Sequence, residues 1–456
     1  MKLSILIPLC AVSVLGHLLS YQDAHIGICG VRVVPSLLDL NPVCRLDALT
    51  SDGATEHVLG EWPSCSGNGT GCGGGSWTRA SPCLKSHKDE RQYCAFSDST
   101  FAENRGIGIV TTPKRAAHLA RNPAFTDPIV TKGTNQDIVQ TIPAKYQVVP
   151  VEGKGMGAIA TRLINRGELI MANTASLMVD YGAFTHLDTE EYMQLQAELV
   201  DSLPEKHRAL VLNLSTHDEA NFTHVELVGK VLSTNAFDIE PDPTDEEQHY
   251  SFYALFPEIA RMNHDCRANA DYYYDPDSLT QYIHAIRPIL PGEEITISYL
   301  NPLLTRRRRA KRLLRNWGFG CGCAACTASA AAGHASDARV EQIARLAAEL
   351  EDYSSESRAT PQMAELHAAL LEQEGLWGLV YQAYAFAAIE WNGVGEPWTA
   401  TKFAHLAVDY GIHSVGPSDR DVIEMATLAE DPWNHWSWML RTKRRMGWGV
   451  REEKEA

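Results

Sequence analysis

Positive charge is scarce in this chain: 40 Lys and Arg stand against 57 Asp and Glu over 456 residues, a formal net charge of −17. A surface of that sign disfavours direct contact with nucleic acid and suits a lysine-rich protein or peptide better. Long apolar runs are missing after the first twenty or so residues, so no later segment reads as a stable membrane span. A phosphate cradle is missing as well. The glycine-rich stretch Ser66–Ser76 lacks the Lys-Ser/Thr ending of a P-loop and reads as a flexible loop. Cys-x-x-Cys pairs are absent from the N-terminal third, which disfavours a zinc module there.

What is present begins with Lys2 and the apolar stretch Leu3–Leu19, with no further charge until Asp23. This reads as a secretory signal peptide over residues 1–20 and predicts a chain in the secretory pathway or outside the cell. An unused signal would leave it in nucleus or cytoplasm. Cys10 lies inside that segment. Cys29, Cys44, Cys65, Cys72, Cys83 and Cys94 follow in the N-terminal third, an even set that suggests disulfides in an oxidising compartment. Sequons at Asn68, Asn213 and Asn221 are compatible with secretion.

The length predicts two or three domains. Residues 21–143 read as a loop-rich, disulfide-stapled region. From residue 144 to 300 the pattern is strand-rich, with runs at Tyr146–Val151, Ala158–Thr161, Gly167–Met171, Ser176–Asp180, Ala270–Tyr274, Gln281–Ile286 and Glu294–Tyr299. Helices are expected over Thr189–Ser215 and Val225–Leu232, with an acidic loop at Asp238–Glu247. Thr305–Arg315 reads as a helix with a charged outer face and with Leu313 and Leu314 turned inward. Thr327–Gly333 reads as an Ala-rich linker, and residues 335–456 as a helical domain. Its helix pair Leu376–Trp391 and Trp398–Tyr410 has the small-residue and aromatic spacing of a helical hairpin. Trp433, Trp436 and Trp438 are expected in the core.

Four short segments carry the chemistry. Gly153-Lys-Gly-Met-Gly157 is a tight turn whose glycines allow backbone to approach a ligand. Arg261-Met-Asn-His-Asp-Cys266 places an Asn-His pair able to hydrogen-bond an adenine edge or an amino-acid tail. Gly292-Glu-Glu-Ile-Thr-Ile-Ser-Tyr299 is a strand ending in a tyrosine. Cys321-Gly-Cys-Ala-Ala-Cys326 supplies three thiols, one short of a closed tetrahedral zinc site.

In this order and spacing the segments resemble the SET domain of protein-lysine methyltransferases, over about residues 144–326. The resemblance implies an α+β, β-rich SET fold with a knot-like segment at 144–300. A post-SET zinc tail would follow at 301–330, then the helical domain. It implies S-adenosyl-L-methionine as cofactor, contacted by Lys154, Gly155, Met156, Asn263, His264, Tyr299 and Phe319. Tyr299 would be the catalytic tyrosine. A structural Zn2+ would be held by Cys266, Cys321, Cys323 and Cys326, and the substrate would be a protein or peptide lysine. The family's MYND module is not visible. The family pattern Asn-His-Ser-Cys-x-Pro-Asn is broken at Asp265 and Ala268. That departure, with the signal, keeps a second reading in view: a catalytically inactive, secreted binding protein on a SET scaffold.

Overall fold

The computed structural model describes residues 77–135, 144–216, 221–240, 251–354 and 356–447. The signal segment, Cys29, Cys44, Cys65, Cys72, the Ser66–Ser76 loop and nearly all of the acidic loop after Ile239 lie outside them.

Fourteen strands are present among the described residues. In chain order they begin with β1 (Arg79–Ala80), β2 (Leu84–Lys85), β3 (Gln92–Asp98) and β4 (Ile107–Thr111). Next come β5 (Tyr146–Val151), β6 (Gly155–Ala160), β7 (Leu169–Thr174), β8 (Leu177–Asp180), β9 (Phe237–Ile239) and β10 (Phe252–Leu255). The last four are β11 (Asn263–His264), β12 (Ala270–Asp275), β13 (Thr280–Ala285) and β14 (Glu294–Ile297). One sheet runs β1-β3-β4-β8-β10-β9, with β2 on β3; a second runs β11-β14-β6-β5; a third runs β12-β13-β7.

The first sheet crosses the boundary expected near residue 144. β4 pairs in parallel with β8, so residues before 144 share a sheet with residues after it. The stretch read as loop-rich is therefore well ordered in its described part. Ile107-Gly-Ile-Val-Thr111 is buried along its whole length, as a strand covered on both faces must be. A disulfide joins Cys83 to Cys94 at the edge of this sheet.

Helices follow the periodicity closely, with three corrections. The expected helix Thr189–Ser215 is two, Thr189–Asp201 and Glu205–Leu212, because Pro204 has no amide to continue the first. The expected linker at Thr327–Gly333 is mostly helix, forming the start of Ala330–Leu350. Its alanines favour helix, and the Ser329 hydroxyl caps it by accepting from the Ala332 amide. The tryptophans near the end are not all core: Trp433 is 48% and Trp436 38% exposed. The intervening turn is fixed from below, where Asn392 donates to Pro432 O and Ser437 Oγ, both at 2.9 Å.

The helices Val380–Gly393 and Pro397–Ser414 form the expected pair, and Pro397–Ser414 lies against β12 and β13. Glycines permit that close approach. A Cβ on Gly167, whose φ is +80°, would sit 2.7 Å from the His413 ring, and one on Gly416 would meet Tyr273 at 2.8 Å. Arg166 pairs with Asp409 at 2.5 Å and covers the Tyr410 ring. Among the described residues no helix is long and apolar enough to cross a membrane.

Candidate active site and metal centre

β5 and β6 are joined by a three-residue turn, Glu152-Gly-Lys154, with Gly153 and Gly155 at φ +70° and +73°. Only glycine adopts such angles cheaply, so the turn's shape is written in its sequence. Gly157, on β6, is needed for a different reason. A Cβ there would lie 2.8 Å from both Asn263 Nδ2 and Glu294 Oε1.

Those two atoms form the first node of the site. β11 runs parallel to β14, which sets Asn263 opposite Thr296 and His264 opposite Ile297. Asn263 Nδ2 donates to Glu294 Oε1 at 2.8 Å and to Met156 O at 3.2 Å. Lys154 Nζ donates to Glu294 Oε2 at 2.6 Å. One carboxylate thus ties the glycine turn to the Asn-His strand. Glu294 was not singled out from the sequence, although it stands inside the Gly-Glu-Glu motif.

His264 is the second node. It is 6% exposed, and Tyr299 donates its backbone N–H to His264 Nδ1 at 3.0 Å. That bond assigns the ring proton to Nε2, which lies 3.3 Å from Cys266 Sγ and donates to it. Burial pulls the ring pKa down to about 4, so the imidazole is neutral. Both nitrogens are committed inside the protein. The side chain acts as a strut between the Tyr299 backbone and a cysteine, and only its main chain remains for a ligand.

The Tyr299 hydroxyl donates to Met262 O at 2.7 Å. Burial first, then the Glu294 charge, holds this phenol well above its ordinary range, so it stays protonated at neutral pH. The Tyr299 ring stands 5.3 Å from those of His264 and Trp317, and the His264 ring lies 6.3 Å from that of Phe319. Trp317 Nε1 is anchored on Thr234 O at 3.3 Å.

The two departures from the family pattern are absorbed locally. Asp265 Oδ1 accepts from the Arg267 amide at 2.8 Å and so closes its own turn. Asn269, 1% exposed, fastens the chain just after Ala268. It accepts from Thr296 N at 2.9 Å and donates to Glu294 O at 2.8 Å.

Cys266, Cys321, Cys323 and Cys326 converge, with all four sulfurs within 4.8 Å of one another and Cys266 Sγ 3.5 Å from Cys326 Sγ. A tetrahedral zinc–thiolate site has S–S edges of about 3.8 Å, so the donor set fits Zn2+. The neighbouring cysteines hold the Cys326 thiol down at about 7 and the Cys323 thiol lower still, while they push the Cys266 thiol up.

The basic helix Arg306–Trp317 does not turn both leucines inward as expected. Leu313 is fully buried, but Leu314 is 62% exposed and Arg309 takes the inner face at 1% exposure. Arg309, Leu313 and Trp317 are four residues apart in turn, which is one face of a helix. That spacing was the available signal for Arg309.

Residues 155–300 match the SET domain family. Histone-lysine N-methyltransferase set5 of Schizosaccharomyces pombe is 31% identical over 182 residues, covering 40% of this chain and 50% of that protein. The N-lysine methyltransferase SMYD2-A of Danio rerio is 36% identical over 121 residues, 26% of each chain. Human N-lysine methyltransferase SMYD2 is 36% identical over 96 residues, 21% of each chain. The aligned segments span half or less of the length of these relatives. The chain carries a SET domain, with a post-SET cysteine cluster and a helical C-terminal region, and its curated matches are SET-domain protein-lysine methyltransferases.

Proposed function

We propose that the protein is an S-adenosylmethionine-dependent protein-lysine N-methyltransferase. The observation that carries this reading is the parallel β11–β14 pairing, which gathers Asn263, His264, Glu294 and Tyr299 beside the Lys154–Met156 turn. The residues fit the cofactor. Gly153 and Gly155 leave open space where a Cβ would stand, and Asn263 offers its amide oxygen beyond the bonds its Nδ2 makes. Lys154, Gly155, Met156, Asn263, the His264 main chain and Phe319 would hold it. Bound there, S-adenosylmethionine supplies an electrophilic methyl group on a sulfonium.

The chain's own part is positioning. Tyr299 keeps its proton and points its hydroxyl at Met262 O, so it serves as a fixed donor and not as a base. The rings of Tyr299, Trp317, His264 and Phe319 keep water away from the reacting amine. Desolvation there favours the neutral lysine, whose ordinary pKa is roughly 10.4, and so prepares the nucleophile. Alignment of donor and acceptor supplies most of the acceleration in such a displacement. The net charge of −17 favours a lysine-rich substrate. The inactive-scaffold reading gains no support, since Asp265 and Ala268 leave the turn bonded and Tyr299 in place.

We propose a structural Zn2+ on the four cysteines, and an oxidising compartment, supported by the Cys83–Cys94 disulfide. In such a compartment bound metal would protect the thiols from pairing. The first test is calorimetric titration of the full chain with S-adenosylmethionine, with Asn263→Ala as control. Saturable binding that the variant loses supports the reading; a folded, zinc-loaded chain that binds none overturns it.

A further inference from the structure

A guanidinium stays charged at any pH a protein survives, so a buried arginine needs an anion. The other buried arginine among the described residues obeys this rule: Arg441 forms a forked pair with Glu390 at 2.5–3.0 Å. Partly buried ones do too, as in Arg105–Glu258 at 2.7 Å and Arg115–Asp180 at 2.5 Å. Arg309 is more buried than any of them, at 1% exposure, and no carboxylate among the described residues pairs with it. Its NH1 donates to Leu304 O at 2.6 Å, which is a neutral partner. Its Nε finds no hydrogen-bond partner among the described residues, and the helix face it shares with Leu313 and Trp317 packs with Cys321 of the sulfur cluster. Neutral thiols would leave this cation uncompensated. Zinc held by four thiolates carries a net charge of about −2 and would compensate it.

We infer that Arg309 is the buried counter-charge of the metal–thiolate cluster, a positioning residue that sets how firmly the cluster holds its ion. This rests on the zinc reading above. Cys266 is then the most heavily supported ligand, since His264 Nε2 donates to the same sulfur at 3.3 Å. The run of four arginines at 306–309 divides accordingly. Arg307 and Arg308 face solvent, and Arg306 braces the tail by donating to Ala328 O at 2.8 Å. Arg309 alone of the four is fully buried, on the helix face that packs with Cys321.

The test uses the full chain in three forms: wild type, Arg309→Gln and Arg309→Lys. Gln keeps a donor for Leu304 O without the charge; Lys keeps the charge without the fork. Zinc content is measured first, then zinc affinity by competition with a chromophoric chelator. Arg309→Gln should bind zinc about 10–100-fold more weakly, the usual effect of losing an outer-shell partner, and Arg309→Lys should recover part of that loss. In cobalt-substituted protein, the sulfur-to-metal charge-transfer band should move to lower energy in Arg309→Gln, because its thiolates have lost a cationic donor. A role confined to helix packing would leave that band unmoved. If Arg309→Gln is too unstable for titration, the metal-dependent rise in melting temperature is compared instead. A smaller rise than in wild type supports the inference, and an equal rise refutes it. Unchanged affinity and spectrum in Arg309→Gln overturn the role of Arg309. Wild-type protein without stoichiometric metal overturns the zinc reading itself.

Discussion

Tyr299 gives its backbone N–H to His264 Nδ1 at 3.0 Å while its hydroxyl reaches Met262 O at 2.7 Å, so one residue is pinned at both ends to the strand β11 segment. The ring between those anchors has little freedom. This rigidity is what a reaction limited by alignment requires.

Removing the hydroxyl should separate binding from turnover. Tyr299→Phe is expected to bind S-adenosylmethionine with wild-type affinity but to lose about 100-fold or more in kcat, the scale of losing one well-placed donor. Calorimetry and radiolabelled methyl transfer to a lysine-rich protein check both halves. Equal kcat in the variant would remove Tyr299 from the chemistry.

His264 should matter to two sites at once. His264→Ala removes the acceptor for the Tyr299 amide and the donor to Cys266 Sγ. Cofactor affinity and zinc retention should fall together, each by about 10-fold or more. Zinc retention identical to wild type would show that the His264–Cys266 contact is passive.

These relationships differ in how far the sequence revealed them. The β5–β6 hairpin, the Asn-His strand and the three clustered cysteines are local features, set by glycine, by alternation and by spacing, and the structure has them where the residues imply. Glu294 and Arg309 could not be read in the same way. Spacing puts Arg309 on the inner helix face with Leu313 and Trp317, but what it meets there, like the Asn263–Glu294 bond across 31 residues, is set by the fold and not by local pattern. In the described part of the N-terminal region, residues 77–135, the buried runs Tyr93–Phe96 and Ile107–Thr111 form strands β3 and β4, which the spread of cysteines does not reveal.

A pH response should come from Asp271, where β12 meets the helical region. Burial raises this carboxyl to about 7 despite bonds from the Tyr272 amide and the Ser414 side chain. The folded pKa lies above the ordinary 3.8, so the folded state binds the proton more tightly. Its stabilisation is full below about pH 4 and is lost as pH rises towards 7. Asp271→Asn should flatten that decline and melt higher than wild type at pH 8. Parallel stability curves for the two proteins would contradict this.

The Glu390–Arg441 pair predicts a large structural effect far from the site. The two side chains are 1% and 4% exposed, and Glu390→Ala would strand a buried guanidinium. A loss of about 3–5 kcal/mol is expected on chemical unfolding. A loss under about 1 kcal/mol would mean that water reaches Arg441 in the variant.

The cysteine quartet also has a history during synthesis. Cys266 is made 60 residues before Cys326. At translation speeds of roughly 5–20 residues per second its thiol waits about 3–12 s for the rest of its ligand set. Through that interval Cys266 stands in the nascent chain without the full set of three thiols it meets in the fold. On the proposed zinc reading, the metal site can close only once Cys326 has been made.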